Sequence, residues 1–291
     1  MKPSAFEYYK PSTIEEALDL MHQYGSEAKI LAGGQSLVPA MNFRLADPSI
    51  LIDINFLNDL SYINEHRKHG LLIGAMTRHV QVEKSSIVAE KCPLLHETMP
   101  YIAHPQIRNR GTIGGSIVHA DPAAELPAIM LALDAKLRLR SKDNERWVEI
   151  ADFFTGMFGT AMTENEILVE VAIPHKPKRY GFAFDEVSRR HGDYAMAGVA
   201  VSLRVDRKGR CEQGKIVFFS VGDAPVLANN ASKLLEKEQL SDELLENVAN
   251  VASEQDIEPG SDIHASAKYR RHLAKVLTKK TLKRAFDRAQ M

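Results

Sequence analysis

Two loops built on adjacent glycines constrain this chain more than any other feature. They are Ala32-Gly33-Gly34-Gln35-Ser36 and Gly111-Thr112-Ile113-Gly114-Gly115-Ser116. The first directly follows the apolar run Lys29-Ile30-Leu31, which reads as a strand. Paired glycines allow positive φ and let a ligand approach the backbone closely. Successive backbone N–H groups in such a turn form a nest for an anion. Gln35, Ser36, Thr112 and Ser116 add side-chain hydrogen-bonding groups. Either loop alone reads more readily as a plain turn. Two together can grip a pyrophosphate, the doubly charged centre of a dinucleotide, from opposite sides. Neither loop fits G-x-G-x-x-G or G-x-x-x-x-G-K-[ST], so neither a Rossmann site nor a P-loop is supported. Asp121 follows the second loop and can accept from ribose or ribityl hydroxyls. Arg108 and Arg110 precede it, and either faces phosphate or is ordinary surface charge.

Around the loops the pattern alternates short strands and helices. Ser12-Thr13-Ile14-Glu15 reads as a capping box, with Ile14, Ala17, Leu18 and Met21 on one helical face and Gly25 as the stop. Ile50–Ile54 and Leu71–Met76 read as strands, and residues 79–91 and 93–103 as helices. A helix is predicted from Pro122 to Leu133, then strands around Leu137–Leu139 and Ile167–Ile173. Pro174 to Arg179 reads as a linker. Extended segments Phe182–Val187, Ala195–Val205 and Ile216–Val221 follow. The last helix, about Ser266 to Gln290, has Tyr269, Leu273, Val276 and Leu277 on one face. From Ser266 to Met291 it carries nine Lys/Arg against one acidic residue, Asp287, which is a solvated face or a steering surface for an acidic partner. The expected division is residues 1–55, 56–175 and 176–291.

Composition works mainly by exclusion. A net charge of -1 over 291 residues gives no general attraction to nucleic acid or an anionic membrane. No run of about 18 apolar residues is present, so no membrane span is expected. The start of the chain carries Lys2, Glu7 and Lys10 without an apolar core, which makes cytoplasmic residence the default. With only Cys92 and Cys211, the chain lacks the thiolates for an iron–sulfur cluster. No metal site is expected on it.

The two loops in their surroundings carry a resemblance. Leu31-Ala32-Gly33-Gly34-Gln35-Ser36-Leu37-Val38-Pro39, with Arg44-Leu45 and Ile52-Asp53-Ile54, resembles the FAD-binding medium subunit of molybdenum hydroxylases. So do Ile107-Arg108-Asn109-Arg110-Gly111-Thr112-Ile113-Gly114-Gly115-Ser116, Asp121-Pro122-Ala123-Ala124-Glu125-Leu126-Pro127 and Gly192-Asp193-Tyr194-Ala195. This is the family of the carbon monoxide dehydrogenase flavoprotein and the FAD domain of xanthine dehydrogenase, and the likeness runs nearly end to end. It implies an α+β chain: a vanillyl-alcohol-oxidase-type FAD-binding fold of two α/β subdomains, plus a C-terminal antiparallel sheet-and-helix domain closing over the flavin.

The resemblance also implies roles. Ala32 to Ser36 and Thr112 to Ser116 would bind the pyrophosphate of non-covalent FAD, with Leu37, Ile107 and Gly111 beside them. Asp121 would be the acidic contact, Tyr194 the aromatic beside the isoalloxazine, and Lys29 a lining residue on the adenine side. A molybdenum cofactor on a large subunit and two [2Fe–2S] clusters on a small subunit would complete the relay, in a dimer of heterotrimers. No side chain of this chain need be catalytic. One position departs from the pattern: Glu186 stands where many relatives carry a lysine near the flavin. A self-sufficient flavin oxidase of the same fold is the alternative, with His104 or Cys92 as the local candidates for a covalent link.

Overall fold

Strand β1 (Glu7–Tyr9), helix α1 (Ile14–Tyr24), strand β2 (Ala28–Leu31), helix α2 (Leu37–Asn42) and strand β3 (Ile50–Asp53) open the chain. They are seen in a computed structural model that describes residues 2–291. The three strands pair in parallel in the order β1-β3-β2. The cap of α1 lies one residue later than the sequence suggested. Thr13 Oγ1 accepts from the Glu16 N–H, and the Glu16 carboxylate takes the Ser12 N–H at 2.7 Å. Ala17, Leu18 and Met21 bury the apolar face of α1 against β3 and Leu57.

The middle of the chain forms an antiparallel five-stranded sheet of order β4-β5-β10-β6-β7. Its strands are β4 (Ile63–His66), β5 (Gly70–Gly74), β6 (Lys136–Arg140), β7 (Glu145–Glu149) and β10 (Ile167–Ile173). A small hairpin, β8 (Phe154–Gly156) with β9 (Gly159–Thr160), interrupts it. Every residue of β10 is buried. Ile167 and Val169 belong to the core of the first unit, whereas Leu168, Val171 and Ile173 belong to that of the second.

Six helices connect β5 to β6: α3 (His79–Lys84), α4 (Ser86–Lys91), α5 (Pro93–Thr98), α6 (Pro105–Arg108), α7 (Ile113–His119) and α8 (Glu125–Ala132). The predicted helix over 79–91 is broken at Ser85, whose hydroxyl caps α4 by accepting from Val88 N–H. The helix predicted from Pro122 starts only at Glu125. Asp121 Oδ1 accepts from the Ala123 N–H, and that turn keeps Pro122 to Ala124 outside the helix. All eight residues of α8 are buried.

The reason is the third sheet. Strands β11 (Tyr180–Ser188), β12 (Ala195–Val205), β13 (Cys211–Phe219) and β14 (Val226–Leu227) form an antiparallel meander. Alternation along β11 sends Phe182 and Phe184 to the core of the middle unit. Ala183 and Val187 go to a separate core under α9 (Asn229–Lys233), α10 (Asp242–Glu254) and α11 (Ala267–Gln290). One face of this sheet thus covers α8, and the opposite face carries α11.

Helix α11 splits the face seen in the sequence. Its buried side includes Leu273, Leu277, Leu282 and Phe286, while Tyr269 and Val276 are 44% and 48% exposed. Its positive charge is largely answered within the chain. Lys275 and Lys279 pair with Glu246, Lys280 with Asp185, and Arg288 with Glu97. Arg270 is buried on Asp262 and two backbone carbonyls. The one-signed look of the sequence is therefore mostly internal pairing, which removes most of the basis for a steering surface.

Candidate functional site

The two glycine loops meet. A Cβ on Gly33 would stand 2.4 Å from the Arg110 carbonyl oxygen and 2.8 Å from Gly111 Cα, and one on Gly115 would stand 3.6 Å from Ala32 Cβ. At Gly33 only glycine permits this approach. The first loop runs from the end of β2 into α2, with Gly34 at φ +72. None of the Gly33, Gly34, Gln35 or Ser36 N–H groups has a hydrogen-bond partner among the described residues. Gln35 folds back, its Nε2 donating to Gly33 O at 2.9 Å. Ser36 is exposed, Leu37 is half-buried, and Lys29 lies exposed on the edge strand β2. Four unpaired donors on a partly open loop are what an anion requires.

The second loop differs from the expected nest. Ile113 N–H donates to Thr77 O at 3.0 Å and Gly114 N–H to Ala75 O at 2.9 Å. Gly115 N–H donates to Thr112 Oγ1 and Ser116 N–H to Thr112 O, so Thr112 is the N-cap of α7. Gly114 is glycine because a Cβ there would meet the Ala75 carbonyl oxygen at 2.7 Å, not because its φ is positive. The backbone donors of Ile113 through Ser116 are committed to the fold. Ile107 is half-buried in α6, and its carbonyl accepts from Gly111 N–H at 2.7 Å.

A polar chain that sequence reasoning did not find holds the loops together. Tyr8 OH donates to Asp53 Oδ2 at 2.5 Å, and Asn55 Nδ2 donates to Asp53 Oδ1 and to Ala32 O, both at 2.5 Å. Arg78 donates to Asn55 Oδ1 at 2.7 Å and also to the Arg110 carbonyl. Asn55 thus grips the first loop and Arg78 the second. Burial and the neighbouring Arg110 lower the Arg78 pKa. The only sequence trace of this clamp is Asp53 at the end of an apolar strand; Arg78 stands in no recognisable pattern.

Two charged candidates resolve differently. Arg108 faces neither phosphate nor solvent. It is 8% exposed, bonded to Glu83 at 2.8 Å and to the Ile102 and Ala103 carbonyls, and it fixes the segment entering the second loop. Arg110 is exposed. Under the second loop His79 is buried, and its ring Nε2 must be the protonated nitrogen because it meets the Thr112 carbonyl oxygen at 3.0 Å. Burial lowers its pKa to about 4, against the Thr112 bond and with Arg108 and Arg78 adding to the fall.

Beyond α7 the chain meets the third sheet. Ser220 N–H donates to Pro122 O at 2.8 Å, joining the end of β13 to the segment after Asp121. The β11–β12 hairpin tip folds against the 101–104 segment. Gly192 at φ +87 stands so close that a Cβ would lie 2.6 Å from the Ala103 carbonyl, and His191 meets Tyr101 edge-on at 5.6 Å. Tyr194 follows on that tip with 67% of its surface open. Partial burial of its hydroxyl end, with Asp121 and Glu125 near it, pushes its pKa up to about 12. Phe158 of the small hairpin lies 5.1 Å from His119 at the end of α7. Both glycine loops, Asp121 and an open aromatic therefore come together where the three sheets adjoin. Cys92 is buried in the core with its pKa raised by burial to about 12, so it is not available for a covalent link. Among the described residues no three His, Cys, Asp or Glu converge on a metal position.

This arrangement fits a bound dinucleotide in one specific respect: a loop of unpaired donors abuts a second glycine-rich loop that is half-open at Gly115 and Ser116. Comparison with known proteins agrees. Residues 4–176 match the FAD binding domain in molybdopterin dehydrogenase, and residues 182–285 match the CO dehydrogenase flavoprotein C-terminal domain. The chain is 41% identical to the 6-hydroxypseudooxynicotine dehydrogenase complex subunit alpha of Paenarthrobacter nicotinovorans, over 100% of this chain and 97% of that one. It superposes on a chain of carbon monoxide dehydrogenase from Hydrogenophaga pseudoflava with a TM-score of 0.95, 38% identity and 99% of both chains covered. On quinoline 2-oxidoreductase from Pseudomonas putida 86 the TM-score is 0.94, with 35% identity and 100% of both chains covered. Glycine loops that meet at the junction of three sheets, and likeness along the whole chain, lead to one conclusion: this protein belongs to the family of FAD-binding medium subunits of molybdenum hydroxylases.

Proposed function

We propose that this chain binds one FAD non-covalently and serves as the electron outlet of a three-subunit hydroxylase. The observation that carries the binding mode is the set of unpaired N–H groups at Gly33 to Ser36. That loop is the pyrophosphate's hydrogen-bond donor. The second loop contributes its partly open face at Gly115 and Ser116, while Gly111, Thr112, Ile113 and Gly114 hold that face in place. Leu37 and Ile107 pack beside the loops, Lys29 borders the adenine side, and Asp121 takes sugar or ribityl hydroxyls. Tyr194 lies against the flavin ring. Residues 1–55 and 56–175 form the two halves of the FAD site, and 176–291 close over it.

FAD supplies the ability to accept and pass on electrons; the chain's residues bind, orient and shield it. Electrons reach it from two [2Fe–2S] clusters on a small subunit, which received them from a molybdenum centre on a large subunit, and leave to an external acceptor. Two buried cysteines cannot ligate such clusters, which supports this division of labour. The similar chains belong to enzymes named for chemically unrelated substrates, so substrate choice lies on the large subunit. Cytoplasmic residence and a dimer of heterotrimers complete the reading.

Co-expression with the large and small subunits tests it. Substrate should bleach the flavin only when all three chains are present. Bleaching of the isolated chain by substrate would instead make this protein an oxidase in its own right. Acid precipitation should release all the yellow colour into the supernatant.

A further inference from the structure

Strand alternation that sends Phe182 and Phe184 toward the middle unit sends Glu186 the same way. Across the sheet Glu186 is paired with Gly198, and Gly198 with Phe219. Gly198 has no side chain, and the Phe219 ring fills that space: a Cβ there would stand 2.0 Å from Phe219 Cζ. Glu186 is thus walled by an aromatic ring in a row that contains no other polar side chain. Its Oε2 is fully occluded and has no hydrogen-bond partner. Glu186 as a whole is half-buried, and Glu125 at the start of α8, 8% exposed, lies near enough for its charge to raise the Glu186 pKa. Neither carboxyl has a Lys, Arg or His within salt-bridge distance among the described residues.

The surrounding charges do not relieve the pair. Asp185, next in the strand, points to the opposite face, where Lys280 and Arg284 hold it. From α5, Glu97 is paired with Arg288. On the hairpin side lie His191, edge-on to Tyr101, and Tyr194, which is near Asp121 and Glu125. An unpaired buried carboxylate is too costly to keep ionised, so such a group holds its proton instead.

We propose that Glu186, with Glu125, forms a proton-holding pair at the flavin cleft whose protonation follows the charge on bound FAD. The proposal rests on the reading of Tyr194 as the residue beside the ring. Burial, then Glu125 and Asp185, push Glu186 up to about 8; burial, with Asp121 adding to it, pushes Glu125 up to about 7. Both values lie in the range where a nearby charge decides occupancy. Bound FAD would gain net negative charge on two-electron reduction by an external reductant with uptake of one proton from solvent. That charge draws one further proton from solvent onto the Glu186 carboxylate. When the electrons leave, the carboxyl returns its proton to solvent. A lysine at this position would instead answer the charge with a fixed cation, without moving a proton.

The FAD-loaded full chain, reduced with dithionite, provides the test. Above pH 8 the flavin midpoint potential should fall with pH about twice as steeply in the wild type as in Glu186→Gln. Two protons accompany two electrons in the first case and one in the second. The infrared difference spectrum should gain a protonated-carboxyl band on reduction, absent in Glu186→Gln. Glu125→Gln, a second variant if the first folds poorly, should move the steep region to lower pH. A merely structural glutamate would change melting temperature and leave the slope alone. Equal slopes and no carboxyl band would overturn the proposal. If they occur while Tyr194→Ala alters the flavin spectrum, the site reading survives and the pair alone is wrong. An unaltered Tyr194→Ala spectrum removes the site reading and the proposal with it.

In the FAD-free chain the raised pKa has a signed consequence. The folded state holds a proton that the unfolded state has lost, so stability falls as pH rises from about 4.5 through about 8. Glu186→Gln should flatten that fall in a melting-temperature series.

Discussion

In the loop at residues 32–36 four successive N–H groups are without partners, whereas in the loop at 111–116 those from Ile113 onward are committed to Ala75, Thr77 and Thr112. The compositions are nearly the same. The first loop leaves a strand at the edge of a small parallel sheet, and its N–H groups from Gly33 to Ser36 meet no acceptor among the described residues. The second starts a helix pressed onto the exit of β5, so its glycines serve close packing. Paired glycines therefore mark two different physical needs, positive φ at Gly34 and near-contact with another backbone at Gly114.

Substitutions can break or sharpen this contrast. Gly114→Val should be the most damaging, because its side chain meets the Ala75 backbone within 3.0 Å. A loss of about 4 kcal/mol, at the upper end for single substitutions, is expected. Denaturant unfolding checks it, and a normally stable Gly114→Val protein that merely loses FAD would dissolve the distinction between the loops. Arg78→Ala should cost about 2 kcal/mol for its two lost hydrogen bonds and weaken FAD retention at least tenfold, since the loops lose their common clamp. Equilibrium dialysis against FAD separates this from a plain stability defect: Asn55→Ala should reproduce the affinity loss.

Gly34→Ala should cost only about 1.5 kcal/mol, the strain of an L-residue at positive φ, yet lose FAD at least tenfold as the donors turn away. Full flavin content in a folded Gly34→Ala protein would count against the first loop as the anion site. Thr112→Ala should be the mildest, about 1 kcal/mol for a lost N-cap, with flavin content almost unchanged. A larger effect on FAD than on melting temperature would show that Thr112 touches the ligand after all.

Much of the architecture was legible because it follows from local patterning. The strands at 28–31, 50–53 and 167–173 and the long final helix are announced by apolar runs and caps. Boundaries slipped where a side chain competed with the backbone. Asp121 closes a turn that delays α8, and Ser85 restarts a helix that periodicity alone would continue. The buried face of α11 was not legible because Tyr269 and Val276 look apolar in the sequence, while the sheet beneath selects Leu282 and Phe286 instead.

By itself the sequence determined the family and the position of both glycine loops. It also determined that this chain cannot hold iron–sulfur clusters, since these depend on residue identity and local spacing. Tertiary structure decided which loop keeps its donors, what Arg108 does, how Asp53, Asn55 and Arg78 join the loops, and that one Glu186 carboxylate oxygen is occluded without a partner. Those outcomes depend on pairings between residues far apart in the chain. A hydrogen bond or a buried charge acquires its energy only from the partner that folding places beside it.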